Sequence, residues 1–207
     1  MAQPDHRPDV VVFDVGEVLL DWNPRHLYDK VIADADAREW FLAHVCTPDW
    51  NREQDRGRDW GEAVALLARA FPEWSREIEA FHHRWEETVR GPVAGSVDIL
   101  RRLHAAGAPL YAITNFSAPK FAESRRRFDF LNLFRGVVVS GEAGLIKPDR
   151  RIFDLFCARF ALAPQRCFFI DDSRANVEAA RAVGMQAALF VDPPGFARDL
   201  AAAGFSV

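Results

Sequence analysis

The stretch Val10-Val11-Val12-Phe13-Asp14-Val15-Gly16-Glu17-Val18-Leu19-Leu20 decides how the rest of the chain is read. Four β-branched or aromatic residues run without polar alternation into Asp14, and a second apolar run resumes at Val18. Such a run is the pattern of a strand buried on both faces, as in a parallel sheet wrapped by helices. Asp14 then stands where the strand ends. Ligands of open α/β sheets bind in the crevice outside the carboxyl ends of the strands, so this carboxylate is a candidate site residue. The plainer alternative is an Asp that caps the following turn.

Beyond this strand, Asn23-Pro24 signals a turn. Residues from about 25 to 90 read as helical throughout, with no convincing strand. All six tryptophans (Trp22, Trp40, Trp50, Trp60, Trp74 and Trp85) fall in or beside this segment, which sets it apart as a small helical bundle. Asp59, with Glu62 three residues on, resembles a capping box and opens a helix ending near Phe71-Pro72. Ser75 is placed to cap the next helix, whose Ile78, Phe81, Trp85 and Val89 form one stripe until Gly91-Pro92.

From Gly95 helices and strands alternate. Ser96 is placed to cap a helix that carries Val97, Leu100 and Leu103 and closes at Gly107. A strand over 110–114 follows, then a helix over 118–128 with Arg125, Arg126 and Arg127 in its last turn, where cations suit the dipole. After a strand at 137–139, Pro148 opens a helix that turns Ile152, Phe153, Phe156 and Phe160 inward. The apolar run 167–170 leads to Asp171 and Asp172. A helix through Val177 and Ala180 up to Gly184, a strand over 186–190 and a short closing helix complete the chain. This alternation predicts an α/β fold with a Rossmann-like parallel sheet. Residues 1–20 and 92–207 form its core, and 21–91 an inserted α-helical cap.

Composition narrows the function. Of 207 residues 49% are hydrophobic, enough for one good-sized core and a smaller satellite. The formal charge of −4, with basic residues scattered among acids, argues against nucleic acid or an anionic membrane as partner. Cys46, Cys157 and Cys167 lack the spacing of a disulfide framework or a zinc site, which fits a reducing cytoplasm. The first seven residues carry no apolar stretch of a secretory signal, and no apolar run nears a membrane span. A soluble cytoplasmic protein, monomer or homodimer, is expected.

Four strand ends deliver polar groups to one edge of the sheet: Asp14, then Thr114 with Asn115, then Lys147 from Gly-Leu-Ile-Lys-Pro, then Asp171 with Asp172. Clustered carboxylates repel one another unless a cation lies between them, and oxygen ligands without His or Cys suit Mg²⁺. Lysine, a threonine hydroxyl and an amide are the donors a phosphate needs. His82-His83 on a helix face different ways and read as a mixed surface, and Arg25 as an exposed arginine.

These motifs resemble those of the haloacid dehalogenase-like superfamily. Val-Val-Phe-Asp14-Val-Gly-Glu-Val is similar to its first motif, Ala-Ile-Thr114-Asn115 to its second, Gly-Leu-Ile-Lys147-Pro-Asp to its third, and Phe-Ile-Asp171-Asp172-Ser-Arg-Ala-Asn176 to its fourth. The resemblance implies that Asp14 is a nucleophile that takes up a phosphoryl group. Thr114 and Lys147 would hold the phosphate oxygens with support from Asn115. Asp172, Asp14 and the Gly16 carbonyl would bind Mg²⁺, with Asp171 acting directly or through water and Asn176 from behind. The implied activity is hydrolysis of a small phosphate monoester, sugar phosphates included, through an aspartyl-phosphate.

The chain departs from the resemblance at one position. Phosphatases of the superfamily usually carry a second Asp two residues after the nucleophile as acid and base, and here that residue is Gly16. Its loss points to substrates with a good leaving group, or to a nearby acid such as Glu17. Two alternatives are a 2-haloacid dehalogenase, disfavoured because Asp171 and Asp172 would repel a carboxylate substrate without Mg²⁺, and a non-catalytic phosphate-binding protein of the same fold.

Overall fold

In the computed structural model, which describes residues 7–206, β1 (Val10–Phe13) is the middle strand of a five-stranded sheet. Of the seven N-terminal residues read for a secretory signal, 1–6 lie outside the described residues. β2 (Leu20–Trp22) follows, then the helices α1 (Arg25–Val31), α2 (Ala35–His44), α3 (Pro48–Asp55), α4 (Trp60–Ala70) and α5 (Ser75–His83), and β3 (Val89–Pro92) returns beside β2. The chain continues through α6 (Ala94–Ala105), β4 (Leu110–Thr114), α7 (Ala118–Arg127), β5 (Gly136–Val139), α8 (Ser140–Ala143) and α9 (Arg150–Phe160). It ends with β6 (Cys167–Asp171), α10 (Arg174–Ala182), β7 (Gln186–Leu189) and α11 (Pro193–Ala203).

The sheet is parallel throughout, in the order β5-β4-β1-β6-β7. Side chains along β1 alternate between its two faces, as the period of a strand requires. Val11 and Phe13 enter one core, with Leu100 and Leu103 of α6 and Phe196 and Leu200 of α11. Val10 and Val12 enter the other, with Ile152, Phe153 and Phe156 of α9 and Ala180 of α10. The order places β4 and β6 on either side of β1, so the chain reverses direction across the sheet at this point. The carboxyl ends of these three strands therefore open into one crevice.

The helical insert leaves and rejoins the core through the antiparallel pair β2-β3, with Leu20 opposite Pro92 and Asp21 opposite Gly91. This ribbon corrects the sequence expectation. Trp85 and Val89 do not continue the α5 stripe, because a 3₁₀ turn over Trp85–Thr88 intervenes and Val89 starts a strand. The ribbon straddles both expected limits of the cap, 21 and 91. Insert and core share one hydrophobic cluster, in which Leu27, Tyr28, Phe41, Trp60 and Phe81 are contiguous with Phe13 and Leu100.

Three expected helix starts also move. Ser75 lies inside its helix and donates to the Pro72 carbonyl, and Ser96 sits in the second residue past Ala94, fully buried. Pro148 precedes rather than opens α9, which Asp149 caps by accepting the Arg151 amide at 2.9 Å. Only α9 has a competing side-chain cap; α5 and α6 start after Trp74 and Val93 with no side chain on the first amides. Asp59 does cap α4, accepting the Glu62 amide at 2.9 Å, and the three arginines do close α7.

Insert and core are clamped at the end of α3. Ser140 Oγ donates to the Asp55 carbonyl and accepts the Phe116 amide, while Trp60 Nε1 donates to Ser117 Oγ at 3.0 Å. The approach is close enough to demand glycine. A Cβ on Gly141 would lie 2.7 Å from the Ala118 nitrogen and 2.9 Å from the Phe116 oxygen, and Gly57 faces the Gly141 carbonyl at a φ of +109°. Backbone atoms cannot swing aside as a side chain can. Gly141→Ala is therefore expected to cost about 1–3 kcal/mol, read as a lower melting temperature in thermal unfolding.

The Asp55 carboxylate is buried at this seam, where its Oδ2 accepts Asn51 Nδ2 at 3.1 Å. Burial pushes its pKa up to about 7, against the opposing pull of the Ser117 amide and Arg52. The folded chain thus holds this proton more tightly than the unfolded chain, and stability from this group is lost as pH rises from about 4 through 7. Asp55→Asn is expected to flatten the stability profile over that window and to gain about 1–3 kcal/mol at pH 8, measured by denaturant unfolding at several pH values.

Candidate active site

Each strand end contributes one part of the site. Asp14 follows β1 directly, and Val15 donates its amide back to Asp14 Oδ1 at 2.7 Å, which fixes the carboxylate at the mouth of the crevice. Lys147, on the loop between α8 and α9, reaches Asp14 Oδ1 at 2.8 Å and Asp171 Oδ2 at 2.6 Å, with its ammonium 5.4 Å from the centre of the Phe169 ring. With Oδ1 holding two donors, Oδ2 is the Asp14 oxygen left without a hydrogen bond among the described residues.

Asp171 closes β6 fully buried. It accepts Lys147, the Ser173 amide at 2.8 Å, and Asn176 Nδ2 at 2.9 and 3.1 Å from its two oxygens. These bonds tie its carboxylate to Lys147 and to the first turn of α10. Asp172 follows on the exposed side of the crevice. Asn115 spends both ends of its amide on the Lys147 backbone: Nδ2 donates to the carbonyl at 3.0 Å and Oδ1 accepts the amide at 2.8 Å. It holds the lysine loop in place. Thr114, at the end of β4, has a fully buried hydroxyl with no hydrogen-bond partner among the described residues.

Electrostatics follow from these distances. Burial raises the pKa of Asp14, Lys147 pulls it back, and Asp171 and Asp172 push it further up. Burial favours neutral Lys147, yet Asp14 and Asp171 together hold its pKa above the ordinary lysine value. Burial and then Asp171 raise Asp172. Three acids against one ammonium leave negative charge uncompensated in a desolvated place.

A divalent cation fits that deficit. Asp14, Asp171 and Asp172 each present an oxygen, all within 4.8 Å of one another, and no His or Cys joins this set. Mg²⁺ takes few carboxylates and keeps several waters, which suits two free carboxylates beside an Asp171 already engaged by protein donors. The Gly16 carbonyl lies on the same loop and accepts the Val18 amide at 2.6 Å.

The crevice opens into a cavity of about 650 Å³ that the insert roofs over with Trp22, Asn51, Arg52, Asp55 and Trp85. No local motif marked the last four as site residues; only the packing of α3 and the turn after α5 over the sheet brings them there. Glu17 lines the cavity from the loop at a φ of +57°, a left-handed backbone uncommon outside glycine. Its pKa is raised by burial and then by Asp172. His82 stacks on Trp60 at 5.4 Å, and Arg25 pairs with Glu39 on the surface, so neither enters the acid cluster.

With this geometry in hand, similarity to known proteins can be weighed. Residues 8–184 match the haloacid dehalogenase-like hydrolases. The sesquiterpene phosphatase astK of Aspergillus oryzae is 29% identical over 175 residues, which cover 84% of this chain and 85% of that one. The phosphoglycolate phosphatase of Escherichia coli is 33% identical over 123 residues, 59% of this chain but 46% of its own length. Among solved structures, a HAD family enzyme from Bacteroides thetaiotaomicron superposes with a TM-score of 0.75 at 19% identity, covering 93% and 98% of the two chains. That enzyme also has a structure in complex with magnesium and inorganic phosphate, at a TM-score of 0.70. Fold, strand-end residues and a match over most of the sequence agree: the chain belongs to the haloacid dehalogenase-like hydrolases.

Proposed function

We propose that this protein is a Mg²⁺-dependent phosphatase of small phosphate monoesters, with Asp14 as the nucleophile. The observation that carries the reading is the crevice itself, where three carboxylates converge, one lysine pairs two of them, and Asp14 Oδ2 has no hydrogen bond among the described residues. Asp14 Oδ2 attacks phosphorus, a P–O bond to Asp14 forms, and the bond to the leaving alcohol oxygen breaks. Water then cleaves the aspartyl-phosphate, releasing phosphate and restoring the carboxylate. Lys147 and the unpartnered Thr114 hydroxyl donate to the phosphate oxygens. Asn115, Asp171 and Asn176 keep Lys147 in place for this role. Asp14, Asp172 and the Gly16 carbonyl would hold Mg²⁺, with Asp171 beside them, and the ion would supply the charge neutralisation that lets one anion approach another.

The two named phosphatase relatives and the magnesium-phosphate complex of the Bacteroides enzyme support this reading. The dehalogenase alternative is disfavoured by charge: a haloacid carboxylate would enter beside Asp171 and Asp172, where Lys147 is already shared by two acids and the cavity's Arg52, Arg56 and Arg151 face Asp49, Glu53 and Asp149. Colorimetric phosphate release from p-nitrophenyl phosphate is the test. Turnover is expected with Mg²⁺, is expected to vanish with a chelator, and to fall by more than about 10³-fold in Asp14→Asn; halide release from chloroacetate without Mg²⁺ would overturn the reading.

The missing acid can be supplied from outside or restored. Gly16 has nothing within 4 Å of where its Cβ would stand and no left-handed backbone, so a longer side chain fits there without strain. Gly16→Asp is expected to raise kcat on alkyl phosphates, whose leaving groups are poor, by about 10²-fold, and to change p-nitrophenyl phosphate far less. In the native chain Glu17, the next residue on the cavity wall, is the carboxyl placed to protonate the leaving oxygen, and Glu17→Gln should lower alkyl phosphate turnover by a comparable factor.

A further inference from the structure

Behind the phosphate crevice lies a second cavity, of about 550 Å³, enclosed by the start of α1 and by α2, α3 and α5. It adjoins the first: Glu17, Trp22, Asn51 and Asp172 line both. Its walls beyond that neck are mostly apolar, with Pro24, Leu42, Ala43, Cys46, Pro48 and Phe81, and also carry Asn23, Arg25, Glu39 and Thr47. The volume is within the range that takes a ligand larger than a phosphate ester of two or three carbons.

Charge decides what enters. The neck carries two acids, Glu17 and Asp172. The one cation in the wall, Arg25, is held by Glu39 through both Nε at 3.0 Å and a second guanidinium nitrogen. An anionic leaving group would therefore find no unpaired cation in this wall among the described residues. A polyhydroxylated one would find Asn23, Thr47 and Asn51 beside the charged groups and would turn its remaining hydroxyls toward carbon and sulfur. An apolar alcohol meets neither penalty and gains by leaving water.

We propose that this second cavity is the leaving-group subsite and that the substrate is the phosphate monoester of an apolar alcohol, its hydrocarbon chain lying between α2, α3 and α5. The proposal rests on the phosphatase reading for its reaction, but not for its binding. In the outer arm of the first cavity Arg52 is paired with Asp49 at 2.9 Å, Arg56 with Glu53 at 3.9 Å and Arg151 with Asp149, so each arginine there already faces an acid.

Two measurements test the subsite separately from the reaction. In the first, kcat/KM is followed from ethyl to decyl phosphate with Mg²⁺, alongside 2-phosphoglycolate and glucose 6-phosphate. A rise of about two- to fourfold per methylene over at least four carbons is expected, with both polar esters at least about 10²-fold below decyl phosphate. A flat series, or a polar ester that outruns decyl phosphate, overturns the proposal. In the second, methylphosphonate and decylphosphonate, which cannot be hydrolysed, are titrated calorimetrically into the wild-type protein. Decylphosphonate is expected to bind at least about 10²-fold more tightly, and equal affinities overturn the proposal whether or not any ester is turned over. Ala43 is exposed on α2, so Ala43→Trp can fill the cavity from its rim, and it should reduce the decyl-to-methyl affinity ratio at least about tenfold. Phosphatase activity with a flat chain-length series would leave the reaction standing and remove the subsite. Chain-length-dependent phosphonate binding without turnover would do the reverse.

Discussion

The ammonium of Lys147, buried between Asp14 and Asp171, is the contact on which the site depends. Two carboxylates facing the same desolvated crevice repel, and neither strand end could bring its acid there without a cation between them. Removing one partner of a buried pair costs far more than the pair gains over an apolar substitute, which makes the arrangement all-or-none. Everything near it serves to fix the lysine: the Asn115 amide on its backbone, the Phe169 ring under its ammonium, and Asn176 bracing Asp171. Such a pair is poor at adding stability and good at holding charge in readiness, with one carboxylate oxygen spare.

The parallel order of the sheet explains why parts from distant stretches of sequence meet. β1, β4 and β6 are neighbours in space although more than a hundred residues of insert and crossover separate the first from the last. Each ends in a polar residue at the same edge, because each runs the same way. The insert supplies the opposite wall. It is anchored at its root by the β2-β3 ribbon and at its far end by Asp55, Ser140 and the glycine contact between Gly57 and Gly141. The polar strand ends and the walls of the second cavity thus come from two different layers of the fold.

How much of this could be read beforehand varied with the physical cause. Strands such as Val10–Phe13 and Cys167–Asp171 were legible because burial on both faces leaves an unbroken apolar run, and the acids after them because a polar residue ends such a run abruptly. The β2-β3 ribbon was not, since three or four residues with mixed exposure carry no period, and Val89 fits a helical stripe as well as a strand. Helix starts at Ser75, Ser96 and Pro148 slipped by one to three residues: α5 and α6 begin after Trp74 and Val93 with no side-chain cap, and Asp149 caps α9. Asn51, Asp55 and Trp85 reach the cavity through the docking of α3 and the turn after α5, and tertiary contact of that sort leaves no local trace.

The confinement of tryptophan to the stretch from Trp22 to Trp85 has a spectroscopic consequence. Intrinsic indole emission reports on the ribbon and the insert alone, while the parallel sheet beyond Val93 has no indole of its own. Fluorescence of this chain is thus a local gauge of whether its lid is seated, and far-ultraviolet dichroism a gauge of the whole. Any gap between the two melting curves measures how far the seam at Asp55 and Gly141 makes two layers unfold as one.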